Sequence, residues 1–101
     1  MAKTKRSGNY KDYLLKSLED PGEAAAYINA ALEEEDDPAA LLLALRHVIE
    51  SRNISNLAQN AGLNRVTLYR ILSKEGNPRF ESLATLLDAM GLKLKVEQKA
   101  A

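Results

Sequence analysis

Apolar side chains recur at helical spacing along most of this chain, and the most regular stripe lies in 39–52. There Leu42, Leu45 and Ile49 fall on one face of a helix, as expected when that face is buried in a core. Shorter patterns of the same period predict helices over 10–18 and 22–34. The spacing therefore indicates a helical N-terminal half.

Between Asn53 and Phe80 the pattern predicts two short helices joined by a tight turn. Gly62 stands where the first helix should end in a left-handed residue, a conformation that glycine adopts without steric cost. Asn64 follows as an N-cap for a second helix over 65–73. A helix, a short glycine-containing turn and a second helix form a helix-turn-helix.

The C-terminal part of the chain changes from helical spacing to strict alternation. A further helix, counted as the fifth, is predicted from Phe80 to Met90, and Gly91 ends it. The apolar residues Leu92, Leu94 and Val96 then alternate with Lys93, Lys95 and Glu97. Period 2 predicts a short strand, and a strand needs hydrogen-bonding partners for its backbone. Two solutions are open: antiparallel pairing with a second copy in a homodimer, which we favour, or an extended tail on the core.

These elements predict an all-α domain of five helices with a short C-terminal β-strand, of the length expected for one domain. Asp20-Pro21 and Asp37-Pro38 mark helix starts, because aspartate suits the cap position and proline suits the first turn. The successive parts are a flexible basic tail (1–9), N-terminal helices with an acidic segment (10–52), the helix-turn-helix and following helix (53–91), the strand (92–97) and a tail (98–101).

The net charge of zero conceals a segregated distribution. Residues 1–18 hold five Lys/Arg against one acid, residues 19–45 hold eight acids and no Lys/Arg, and residues 46–101 hold nine Lys/Arg against five acids. The helix-turn-helix lies in the second basic part, where positive charge favours contact with phosphates. The acidic part is expected to face away from DNA or toward a basic protein.

The composition excludes several classes of function. The chain has no cysteine, so it has no disulfide framework, and a reducing compartment, the cytoplasm, is expected. It lacks an apolar run of the about 20 residues that a membrane span needs. The single histidine, His47, has no nucleophile beside it in the sequence, so we expect no enzyme, no metal site and no cofactor, and a surface or partly packed role for His47.

The second helix of the helix-turn-helix supplies the side chains that suit a DNA groove. Arginine donates two hydrogen bonds to guanine, and an apolar group suits the methyl of thymine. The candidates for reading bases are Arg65, Val66, Thr67, Tyr69 and Arg70. Val66 is equally well explained as a packed residue. The candidates for positioning the DNA backbone are Asn53, Ser55, Asn56, Asn64, Lys74, Asn77 and Arg79.

Two stretches carry a resemblance to a known family. The run "LAQNAGLNRVTLYRIL" followed by "GNPRFESLATLLDAMGL" resembles the Cro/phage-repressor (Xre-like) helix-turn-helix. With "YLLKSLEDPGEAAAYINAAL" before it, the chain over about 10–97 is similar to the addiction-module antidote proteins, the HigA-like antitoxins. Asn64 departs from the Ser or Thr often found at the cap in that family, but asparagine caps equally well.

This resemblance implies a DNA-binding antitoxin that represses its own operon and neutralises a small basic ribonuclease toxin of the RelE/HigB-like type. It also implies that Arg79 lies near the minor groove. Two copies paired through the C-terminal strand would place their second helices about one DNA turn apart, so the predicted operator is an inverted repeat. The acidic residues that would face such a toxin are Glu33, Glu34, Glu35, Asp36 and Asp37. The alternative is a stand-alone transcriptional regulator of the phage-repressor type without a toxin partner.

Overall fold

The computed structural model describes residues 4–34, 37–72 and 79–100, with side chains from Tyr10 onward. In these ranges all the regular secondary structure is helical. The helices are α1 (Thr4–Ser17), α2 (Pro21–Leu32), α3 (Pro38–Glu50), α4 (Ile54–Ala61), α5 (Arg65–Ile71) and α6 (Phe80–Ala89).

The expected count of five helices is wrong, because the described residues form six. The Asp-Pro boundaries separate α1, α2 and α3 as the sequence predicted. Asp20 accepts a hydrogen bond from the Glu23 N–H (3.0 Å), and Asp37 accepts one from the Ala39 N–H (3.1 Å). Each aspartate thus caps a helix whose first residue is proline.

Helix α1 begins at Thr4, whereas the sequence placed a tail over 1–9 and a helix start at Tyr10. No proline interrupts residues 4–9. The one glycine there costs a helix only about 1 kcal/mol relative to alanine, which does not prevent helix formation. Residues 1–3 lie outside the described ranges.

The core lies between the helix pair α2–α3 and the group α4–α6, and α3 also contacts α1 and α4. The least exposed large side chains come from α3, α5, α6 and the residues that follow α1 and α5. They are Leu18, Leu45, Val48, Ile49, Leu68, Leu72 and Leu86. The stripe on α3 is confirmed at Leu45 and Ile49, which are buried, whereas Leu42 is half-buried.

Residues 92–100 form neither helix nor strand, so the C-terminal strand predicted at Leu92, Leu94 and Val96 is not present in this single chain. Gly91 ends α6 in the left-handed conformation (φ +81°), and the Leu92 N–H donates to the Leu87 carbonyl (2.8 Å). Leu92 packs on the core, while Val96 is 95% exposed. A strand requires a partner for its backbone, and the described chain supplies none here.

Candidate nucleic-acid interface

The turn between α4 and α5 is held by its own backbone. Gly62 adopts φ +70° and ψ +27°, the left-handed conformation predicted for it. The Gly62 N–H donates to the Gln59 carbonyl (3.2 Å), and the Leu63 N–H donates to the Ala58 carbonyl (2.9 Å). These bonds satisfy carbonyls that the end of α4 would otherwise leave unpaired. The angle at which α5 leaves α4 is therefore set locally.

Two asparagines cap the helices of the motif. Asn53 accepts a hydrogen bond from the Asn56 N–H (3.0 Å) at the start of α4. Asn64 accepts one from the Thr67 N–H (2.7 Å) at the start of α5. Each side-chain oxygen is thus used within the protein, so the amide NH₂ is the group that remains to donate outward.

Helix α5 divides cleanly into a buried and an exposed side. Leu68 is fully buried against the core, whereas Val66 is 73% and Tyr69 45% exposed. Arg65 and Arg70 are also exposed, and the four outward residues occupy adjacent positions on the helix surface. Thr67, another candidate for base reading, is half-buried. The outward face of α5 thus presents two arginines, a tyrosine and an apolar side chain.

Val66 had two interpretations in the sequence, a packed residue or a groove contact. Most of the Val66 side chain lies in solvent, so Val66 is not a packed residue within this chain. A β-branched apolar residue on an exposed face between two arginines is suited to contact a thymine methyl group.

Two other arginines of the basic C-terminal part serve the fold. The Arg46 Nη2 donates to the Leu72 carbonyl at the end of α5 (3.1 Å). The Arg52 Nη1 donates to the Leu18 carbonyl just after α1 (2.8 Å). Both are half-buried. In the sequence both arginines belong to the basic part of the chain, and this role is not predicted there, although helix ends always leave carbonyls that need donors.

The remaining positions predicted to hold the DNA backbone divide into two groups. Ser55 and Asn56 are exposed in the first turn of α4, and Arg79 is exposed at the start of α6, where its side chain makes no capping bond. Lys74 and Asn77 lie outside the described residues. The exposed positions begin two different helices that pack on each other.

Comparison with known proteins gives one family. The family model described as "Probable addiction module antidote protein" matches residues 9–98, which is nearly the whole chain. This chain belongs to that family. The matched residues run from α1 to the segment that follows α6.

A curated relative supports the same extent of similarity. An uncharacterized protein of Haemophilus influenzae is 35% identical over 89 residues, which cover 87% of this chain and 91% of the relative. No solved structure matches the chain.

The acidic segment of this antidote-family chain lies at the turn between α2 and α3. Glu33 and Glu34 are exposed, and the Asp37 N–H donates to the Glu34 carbonyl (3.0 Å). Asp37 is exposed too, although its side chain caps α3. Glu35 and Asp36, also predicted to face a toxin, lie outside the described residues. Among the residues that are described, no cluster of His, Cys, Asp or Glu is placed to hold a metal ion.

His47 is half-buried, in agreement with the partly packed role predicted for it. Its Nδ1 lies 2.7 Å from the hydroxyl of Tyr27, and the two rings are tilted with centroids 5.9 Å apart. Burial, with a smaller contribution from Tyr10, raises the pKa of Tyr27 above its usual 10.0. The pair links α2 to α3. Within the described ranges, none of the helices is long and apolar enough to cross a membrane.

Proposed function

We propose that this protein is a DNA-binding antitoxin of a type II addiction module. It neutralises a RelE/HigB-like ribonuclease toxin by direct binding and represses its own operon in the cytoplasm through a helix-turn-helix of the phage-repressor type. Membership of the antidote family over residues 9–98 is the observation that carries the proposal, because an antidote implies a toxin partner.

The exposed face of α5 supports the DNA-binding half of the proposal. In a helix-turn-helix the second helix lies in the major groove, with its N-terminal residues toward the bases. Arg65 is the first residue of α5 and is suited to guanine O6 and N7. Tyr69 and Arg70 follow one turn later on the same face, and no acid lies between Arg65 and Leu72 to repel phosphates. Thr67, half-buried, is assigned a contact at the margin of this face.

Backbone contacts would come from the start of α4 and from Arg79. The first N–H groups of a helix are unpaired within it, so phosphate is favoured beside Ser55 and Asn56. The amide groups of Asn53 and Asn64 are placed to donate at the same surface. Arg79 is assigned to the minor groove, where its charge would respond to groove width.

An operator shift assay tests this assignment. Arg65→Ala and Arg70→Ala should each weaken binding to the DNA upstream of the gene, by about 10- to 100-fold if each arginine reads a base. The matched control is Lys16→Ala, which removes one exposed positive charge from α1. Circular dichroism of every variant should show an unchanged helical signal. Equal, small effects of all three substitutions would contradict a recognition role for α5.

The acidic turn supports the toxin-binding half. A ribonuclease that binds RNA is expected to be basic, and complementary charge steers and orients protein association. Glu33 and Glu34 project from the end of α2 into solvent, where a basic surface can reach them. Asp37 extends the same patch, and Glu35 and Asp36 belong to it by sequence.

Co-expression with the product of the neighbouring reading frame tests toxin contact. The tagged antidote should retain the neighbour through purification and suppress its ribonuclease activity. Glu33→Gln with Glu34→Gln should weaken retention in a salt-dependent manner. Glu81→Gln with Asp88→Asn removes the same charge from exposed positions on α6 and serves as the control. Failure to bind any neighbouring product, with operator binding intact, would favour the stand-alone regulator.

The proposed assembly on DNA is a homodimer. A two-fold pair of recognition helices about 34 Å apart fits successive major-groove faces, and its operator is an inverted repeat. The strand predicted at 92–97 is our choice for the dimer contact, since its alternating pattern suits pairing with a second copy.

A further inference from the structure

A groove runs between α2 and the C-terminal segment that follows α6. It encloses about 710 Å³. Its apolar lining is contributed by Ala25, Ile28, Leu32, Leu87, Leu92 and Leu94. Leu32 is 50% and Leu94 42% exposed, so the groove leaves two leucines open to water. Covering them would remove apolar surface from solvent, which favours an apolar occupant.

The backbone of the C-terminal segment also lacks partners. After the bond from the Leu92 N–H to the Leu87 carbonyl, residues 93–100 make no hydrogen bond with any described part of the chain. An extended segment with free N–H and C=O groups is a template for an added strand. The occupant that satisfies both the backbone and the groove is therefore itself an extended chain with apolar residues at every second position.

We propose that this occupant is the C-terminal segment of a second copy, paired antiparallel with Lys95 at the two-fold axis. The inference rests on the proposed homodimer and specifies its register. Residues directly opposite each other in an antiparallel pair point to the same face. Centring on Lys95 places Leu94 opposite Val96 of the second copy, and Lys93 opposite Glu97 of the second copy. Because the dimer is symmetric, each of these two pairs occurs twice.

The neighbouring registers are worse on charge. Centring on Leu94 would put Lys93 opposite Lys95 of the second copy, a like-charge pair that occurs twice. Centring on Val96 would put Lys93 opposite Lys99 of the second copy, which is also a like-charge pair that occurs twice. Like charges directly opposite each other destabilise a sheet, whereas apolar and opposite-charge pairs stabilise it. The register centred on Lys95 places Leu92 opposite Gln98, but it has only one like-charge pair, Lys95 with itself, against four favourable pairs.

The same register covers an exposed leucine of the groove. Leu94 lines the groove, and in this register Val96 of the second copy lies directly opposite it on the same face. That valine, which is 95% exposed in the single chain, thus packs against Leu94. Each copy covers Leu94 of the other, so the contact is self-complementary, as a two-fold dimer requires.

Cysteine substitutions test the register directly, because the chain has no cysteine of its own. Three single variants of the full chain are oxidised under mild conditions: Lys95→Cys, Leu94→Cys and Val96→Cys. Only residues at the two-fold axis face their own copies, while the neighbouring positions are diagonal and about 7–8 Å from their copies. Such a separation is too long for an unstrained disulfide. Lys95→Cys should therefore form the disulfide-linked dimer fastest. Faster linkage of Leu94→Cys or Val96→Cys would overturn the register.

Charge exchange provides a second test without cysteine. Lys93→Glu and Glu97→Lys should each weaken the dimer about tenfold in sedimentation equilibrium, because each converts two attractive pairs into repulsive ones. The double variant restores the pairs and should recover the dimer. If both single variants dimerise as strongly as the wild type, the register is overturned but the homodimer still stands. A chain that is monomeric at all concentrations overturns the dimer itself, and the operator and toxin assays then judge the rest of the proposed function separately.

Discussion

The hydrogen bond between Arg46 and the end of α5 gives a prediction that separates the role of an arginine in the fold from its role in DNA binding. The Arg46 Nη2 donates to the Leu72 carbonyl (3.1 Å), and Leu72 caps the C-terminal end of α5. Arg46→Met removes the donor but keeps a long apolar stem against the same neighbours. Methionine and arginine have similar helix propensities, so α3 itself is little affected.

The size of the effect follows from the environment of the bond. A hydrogen bond from a charged donor contributes about 1.5–3 kcal/mol in protein interiors. This bond is only partly buried, so water can replace part of the lost interaction at the Leu72 carbonyl. We therefore expect Arg46→Met to lower the free energy of unfolding by about 1–2 kcal/mol. That corresponds to a fall of roughly 5–10 °C in the melting temperature for a domain of this size.

Urea denaturation and operator shift of Arg46→Met and Arg65→Met, measured side by side, check this prediction. The Arg46→Met variant should unfold at a lower urea concentration than the wild type. Its operator affinity should fall with salt concentration as steeply as that of the wild type. Arg65→Met, at an exposed position, should unfold like the wild type. It should also lose operator affinity if Arg65 contacts a base. If Arg65 contacts a phosphate, the slope of the logarithm of operator affinity against the logarithm of salt concentration should become smaller by about one. The reasoning is refuted if Arg46→Met is as stable as the wild type and reduces the salt slope instead.

Three further substitutions test local features of the fold: a helix cap, a left-handed glycine and a partly buried tyrosine. Asn64→Ala removes the cap on the Thr67 N–H and should cost about 1 kcal/mol in thermal unfolding; an unchanged melting temperature would contradict the cap. Gly62→Ala should cost about 1 kcal/mol through backbone strain alone, because a side-chain carbon there meets nothing within 4 Å, and Gly62→Asn should cost less. Burial raises the pKa of Tyr27, so the folded state holds that proton more tightly than the unfolded state does. The resulting stability is present below pH 10.0 and is lost as the pH rises through the raised pKa. Tyr27→Phe should flatten this alkaline fall in denaturation measured at increasing pH, and an unchanged profile would exclude Tyr27 as its source.

The features that the sequence predicted well are those fixed within a few residues. Gly62 was expected in a left-handed turn and Asn64 at a cap, and both are found there, since each depends on neighbours no more than four or five residues away. The starts of α2 and α3 were predicted for the same reason, from Asp20 and Asp37 with the prolines that follow them.

The features that were missed depend on distant parts of the chain or on another chain. The donors from Arg46 and Arg52 reach carbonyls 26 and 34 residues away, so periodicity and local charge give no sign of them. The C-terminal strand failed as a prediction for the single chain because its pattern specifies a face to bury, while the backbone partner must come from elsewhere. Alternation at Leu92 to Val96 thus predicted an apolar face without predicting what covers it.

The segregation of charge explains how a chain of zero net charge is compatible with DNA binding by α5. Eight of the 14 acids lie in residues 19–45, a segment without Lys or Arg, whereas no acid lies between Arg65 and Leu72. The described acids at the turn between α2 and α3 are exposed, and so are Arg65 and Arg70 on α5. The two groups of opposite charge belong to different elements and can therefore serve different partners. For this reason the total charge is not evidence against an operator contact.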